Sequence, residues 1–206
     1  MHISDGVLPI SVTLGTYVIS VATIVWSVRK TKAENIPKTA VMTSAFFVAS
    51  LIHVPLGPTS VHLLLPGIVG ILLGPSAFLS IFLGLFLQSI LFQFGGLTSL
   101  GANAVMMGFP ALFAGWTFRL IKGTSFTAQI LAGAFSGALA TTMATLILAL
   151  LLISAGEDFI GVSKLAFAAH LPVICIEAII SGCTVSFLAK VRPAFLNIPS
   201  AAGLEK

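Results

Sequence analysis

The first two residues place three nitrogen donors of different kinds within one dipeptide: the α-amine of Met1, the backbone amide of His2 and the His2 imidazole. The amine and the amide nitrogen close a five-membered ring on a metal ion. The same amide and the His2 Nδ1 close a six-membered one. Three nitrogens then share a plane, and a fourth donor completes a square. Such a set suits Ni(II) or Cu(II) better than Zn(II), which prefers a tetrahedron, or Mg(II), which prefers oxygen. The amide must lose its proton to ligate, so affinity falls as pH falls. No basic n-region opens the chain, and Asp5, Gly6 and Pro9 interrupt the first apolar run, so Met1 is expected to be the mature N-terminus.

For the fourth donor the first candidate is His62, which follows Gly57-Pro58-Thr59-Ser60. The bland alternative for His62 is a polar side chain capping a helix. Five further residues are candidates to hold or orient the ligating groups: His53, Gln93, Asn103, His170 and Glu177. Ionisable groups inside a bilayer are costly and usually face protein. His170 and Glu177 are seven residues apart, hence on one helix face and about 10 Å apart, too far to pair directly. A buried structural hydrogen bond is the competing reading for each. Cys175 and Cys183, eight residues apart, are read as two small buried apolar residues that cannot bridge within one helix.

These residues need a scaffold, and composition says which kind. The chain has 206 residues, 57% of them hydrophobic and 8% charged; a soluble domain carries about 25% charged residues. The reading is a single bilayer-embedded domain over 1–192 with a short cytoplasmic tail over 193–206. Apolar segments fall at about 9–28, 39–54, 63–73, 76–94, 102–121, 126–154 and 165–190, which predicts an all-α integral membrane protein of about seven transmembrane helices. The third, bounded by Pro66 and Gly74-Pro75, is too short to cross comfortably and is expected to be tilted or partly inserted. Gly70–Gly74 and Gly133–Gly137 fit the small-xxx-small pattern of closely packed membrane helices.

In this arrangement Arg29, Lys30, Lys32, Lys38, Arg119, Lys122, Lys190, Arg192 and Lys206 share one side and Lys164 alone the other. The positive-inside rule then puts the C-terminus in the cytoplasm and the N-terminus outside. All four histidines fall at or near that outer side. The net charge of +4 is thereby explained as topology, and nucleic-acid binding drops out. No Walker A sequence, H-E-x-x-H or G-x-S-x-G occurs, so the chain is read as no enzyme, and any ATP is hydrolysed by another subunit. A competing reading is an ion-coupled secondary transporter or channel for a divalent metal. It needs a continuous polar path, and the inner halves of the spans show almost none.

The stretches Met1–Pro9, Gly57–Leu64, Gly95–Asn103 and His170-Leu171-Pro172, with Glu177 following, resemble the CbiM/NikM family, the substrate-binding membrane components of energy-coupling-factor transporters for cobalt and nickel. The resemblance runs from residue 1 to about 190. It implies seven helices with the N-terminus inserted toward the outer face. It also implies a metal held by the Met1 amine, the His2 amide and imidazole, and His62. The implied partners are a transmembrane coupling subunit, two cytoplasmic ATPase subunits and a small accessory membrane subunit, in a prokaryotic cytoplasmic (inner) membrane. No cofactor is permanently bound; Ni(II) or Co(II) is the transported substrate. Val61 and Leu65 stand where small residues are usual around that histidine, and Ala178 where Gly commonly follows Glu177.

Overall fold

A computed structural model describes residues 2–51, 53–56 and 59–196. The expectations for Met1 and for the side chain of His53 lie outside the described residues. The seven apolar segments each become an α-helix: α1 (Ile10–Lys30), α2 (Ile36–Ala49), α3 (Pro66–Leu73), α4 (Ala77–Phe92), α5 (Leu100–Ile121), α6 (Phe126–Ser154) and α7 (Ile160–Val191). Five helical lengths among the described residues are long and apolar enough to cross a membrane: α1, α3 with α4, α5, α6 and α7. The 14 residues of α2 fall short of the roughly 20 that a crossing takes.

The polar distribution is inverted relative to a water-soluble bundle. On α1, Ile10, Leu14 and Val18 are exposed, whereas Thr16, Ser20 and Ser27 are buried. The inward hydroxyls satisfy carbonyls of neighbouring elements: Ser20 Oγ donates to Gly101 O (2.8 Å) and Ser27 Oγ to Pro75 O (2.7 Å). The outward apolar face suits a bilayer-embedded helix. Cys175 and Cys183 also lie on an exposed face, contrary to the expectation that both are buried; they are free thiols.

Helix α5 is the hub, packed by α1, α3, α4 and α6, while α6 and α7 form the most extensive pair. The eight-residue α3 can be interior because its backbone lies directly on its neighbours. A Cβ on Gly70 would stand 1.8 Å from Ala111 O of α5, and one on Gly67 2.5 Å from Gly137 Cα of α6. The small-xxx-small glycines therefore serve contacts within this chain. Pro66 opens α3, and Gly74-Pro75 ends it in a 3-10 turn that leads into α4.

Two features depart from the sequence reading. Residues His53–Leu56 (β1) and Thr59–His62 (β2) pair as an antiparallel hairpin, with His53 opposite His62 and Leu56 opposite Thr59, a pairing absent from the all-α reading. Residues Pro193–Leu196 fold back as a 3-10 turn against the bundle, with Leu196 buried and Lys122 Nζ donating to its carbonyl (3.4 Å).

Candidate metal site

The N-terminal segment is threaded into the bundle rather than lying over it. Ile3 is fully buried, and its amide donates to Asn103 Oδ1 at 2.8 Å. Its carbonyl accepts from Ser99 Oγ (2.6 Å) and Asn103 Nδ2 (3.1 Å). An Asn side chain presents an acceptor and a donor together, so Asn103 in the first turn of α5 engages both backbone polar groups of Ile3, one in each of two adjacent peptide units. Two residues on, Asp5 anchors the same segment. Its carboxylate accepts from Thr98 Oγ1 (2.6 Å) and the Ser99 amide (3.0 Å), and its amide donates to Gly95 O (3.2 Å). Burial acts against ionising Asp5, but the hydrogen bonds from Thr98 and Ser99 outweigh it and hold the carboxyl below its ordinary value. Gly96, at φ +148°, lets this loop close on Asp5: a Cβ there would stand 2.1 Å from the carboxylate.

This grip delivers His2 to the interior, 5% exposed. Its ring stacks on that of His62, centroids 4.7 Å apart, beside Phe94. Gln88 Oε1 lies 2.7 Å from His2 Nε2. An amide oxygen only accepts, so Nε2 carries the proton and the lone pair is on Nδ1. The Gln88 amide group in turn donates to Ser50 Oγ, which fixes which way the side chain faces.

His62 closes β2 and is 4% exposed. Its Nδ1 lies 2.7 Å from Leu63 O and donates to it, so the lone pair is on Nε2, and that atom is buried without a hydrogen-bond partner among the described residues. Burial pushes the imidazole down to about 4; the bond to Leu63 O pulls it up and the nearby His170 adds to the depression. His62 therefore stays neutral, with a nitrogen lone pair on offer, across the physiological range.

Four other expected residues lie among the described ones. Asn103 positions the N-terminal segment as just described. Glu177, fully buried in α7, uses Oε1 to accept from the amides of Leu64 (2.6 Å) and Leu65 (2.7 Å). It fixes the junction between β2 and α3, two residues beyond His62. His170, also fully buried, donates through Nδ1 to Ala166 O (2.6 Å). Gln93 is the correction: it is exposed, at φ +57° just past the end of α4, and the amide that meets His2 is Gln88. Five residues of helix turn a side chain by about 140°, so the two glutamines cannot share a face. The signal Gln88 leaves in the sequence is a single amide in an otherwise apolar run, too faint by itself to single it out.

Among the described residues, no three His, Cys, Asp or Glu side chains converge as a metal cluster. An ion at His2 and His62 must therefore complete its shell with donors other than those side chains.

Comparison with known proteins places the chain in a family. The chain matches the family described as CbiM, cobalt uptake substrate-specific transmembrane region, over residues 2–195, and it belongs to that family of multi-pass membrane proteins. A Haemophilus influenzae relative named "Putative metal transport protein" is 36% identical over 96% of this chain and 97% of its own length. Two Archaeoglobus fulgidus relatives are 31% and 30% identical over 98% of this chain: "Putative cobalt transport protein CbiM", covered in full, and "Putative fused nickel transport protein NikMN", covered over 70%. A crystal structure of a transition metal transporter shares the fold, with a TM-score of 0.78 at 24% identity over 93% of each chain. The chain is a cobalt/nickel uptake membrane component, and its relatives are named as transport proteins.

Proposed function

We propose that the chain captures Ni(II) or Co(II) in a square-planar site of four nitrogens: the Met1 amine, the His2 amide, His2 Nδ1 and His62 Nε2. The observation that carries this reading is the state of His62: buried, held neutral, its Nδ1 proton committed to Leu63 O and its Nε2 left without a partner beside the His2 ring. An orphaned buried acceptor is rare and asks for a reason; a visiting cation supplies one. The His2 tautomer agrees, because Gln88 takes the Nε2 proton and leaves Nδ1 as the ligating atom. An outer partner of this kind fixes ring orientation and raises ligand basicity.

The capture site faces outward, and the basic ends of the helices face the cytoplasm. Release is driven from there by an energy-coupling-factor assembly of a transmembrane coupling subunit, two ATPase subunits and a small accessory membrane subunit. The lipid bilayer is the remaining partner. Metal binding by purified protein with its native N-terminus tests the capture step. His2→Ala, His62→Ala and an N-terminal extension are each expected to lose about tenfold or more, the scale of losing a ligand or its support. All three variants binding nickel like the parent would refute the chelate. Uptake that persists without an ATPase partner would favour the secondary transporter.

A further inference from the structure

Six buried side-chain atoms among the described residues lack a hydrogen-bond partner: His62 Nε2, Thr117 Oγ1, Ser136 Oγ, His170 Nε2, Glu177 Oε2 and Ser181 Oγ. Three of the six belong to α7, at positions 170, 177 and 181. Offsets of seven and four put them in one row along a single helix face. His62 adjoins the head of that row. Glu177 Oε1 holds Leu64 and Leu65 two and three residues beyond it, and His170 is near enough to act on it electrostatically. The two histidines are also prepared alike. Each gives its Nδ1 proton to a backbone carbonyl, Leu63 O or Ala166 O, and keeps an unpartnered lone pair on Nε2. A merely structural histidine has no use for a second nitrogen left bare in the interior, where an unpaired polar group is costly.

We propose that this face of α7 is the route by which the metal leaves the capture site, with His170 Nε2 as a second, weaker metal-binding site at its head. The proposal rests on reading His2 and His62 as the capture site. A divalent ion cannot cross an apolar interior bare, so each donor it leaves must be exchanged for another. His170 offers a nitrogen for the first exchange. About 10 Å further along the helix, Glu177 Oε2 offers a carboxyl oxygen, and Ser181 Oγ lies one turn beyond. His170 and Glu177 are two turns apart on the helix, too far apart for both to hold one ion. That marks them as successive stations rather than one ligand set. The row is closed from Glu177 onward in this conformation: a Cβ on Gly137 of α6 would stand 2.8 Å from Glu177 O and 2.3 Å from Ser181 Oγ, and one on Gly133 2.6 Å from Val185 Cγ2, so passage needs α6 and α7 to part.

The test separates a ligand from a structural hydrogen bond. His170→Gln keeps a donor for Ala166 O but supplies a poor metal ligand; His170→Cys supplies a good one. Both are made in the full chain with the exposed Cys175 and Cys183 replaced by alanine. With the native N-terminus, His170→Gln should bind radiolabelled nickel as the parent does, while nickel uptake in cells holding the native partner subunits falls about tenfold or more. With an N-terminal extension that blocks the chelate, the parent should retain weaker nickel binding that His170→Gln abolishes. Loaded with Co(II), His170→Cys should show a thiolate-to-cobalt charge-transfer band that the parent lacks. The proposal is overturned if that band is missing, if His170→Gln transports like the parent, or if it loses high-affinity capture, which would put His170 in the first site. If the native-N-terminus parent itself binds no nickel, the capture reading fails. The cobalt band still decides on its own whether His170 ligates metal.

Discussion

Replacing Asn103 with alanine removes the side chain that bonds both the amide and the carbonyl of Ile3. The Ile3 carbonyl keeps Ser99 Oγ at 2.6 Å, so its loss is partial. The Ile3 amide, in a residue with no exposed surface, loses its 2.8 Å acceptor. Leaving a buried donor unsatisfied costs about 1–3 kcal/mol. The strain falls on the segment that holds His2 against His62, so it should surface as poorer preorganisation of the site. At about 2 kcal/mol, nickel affinity drops roughly 30-fold. Titration calorimetry on detergent-purified Asn103→Ala with a native N-terminus measures this directly, with a thermal melt of the metal-free protein alongside. A melting midpoint that falls while affinity stays within threefold of the parent would refute the reasoning. The bond would then stabilise the bundle without seating the N-terminus.

Three further outcomes follow from the geometry. Gln88→Leu deletes the acceptor that sets the His2 tautomer, and nickel affinity measured by the same titration should fall about tenfold. Gly70→Ala drives a methyl group into the α5 backbone, where a Cβ would lie 1.8 Å from Ala111 O. Because neither partner is a flexible side chain, the cost should reach or exceed the 1–3 kcal/mol typical of overpacking, read as a lower melting temperature or loss of folded protein on size exclusion. His62 makes the metal-free fold acid-sensitive: its imidazole is depressed from 6.5 to about 4 in the folded chain. Unfolded, it takes a proton below 6.5, so its contribution is complete above that value and is lost as pH falls from 6.5 toward 4. By pH 5 the loss is about 2 kcal/mol. Denaturation midpoints at pH 7 and pH 5 should differ less in His62→Gln than in the parent.

How legible the molecule was in its sequence depended on the kind of signal each part emits. Each apolar run became a helix because length and hydropathy are local properties, and α3 was rightly singled out as too short to cross. What burial the residues would find was not local. Cys175 and Cys183 read as interior because they are small and apolar, yet lipid accepts such residues as readily as a core does, so hydrophobicity cannot choose between the two. The β1–β2 pairing was missed because its strands are only four residues each and carry Pro55 within β1. His62 and Asn103 stood out as polar residues in loops or at helix starts. Gln88 did not, because one amide inside an apolar helix looks like noise until the partner, 86 residues away in the chain, is placed beside it.

That separation has a consequence for how the protein is made. Ile3 and the Asn103 amide that seats it are 100 residues apart. At about 5–20 residues per second of synthesis, the N-terminal segment waits on the order of 5–20 s for α5 to emerge. His62 and Gln88 are made before Asn103, yet until α5 arrives the segment has no seat in the bundle. Only a chain whose later helices have been inserted and docked can bury its own beginning. Metal binding by this protein is therefore a readout of finished assembly.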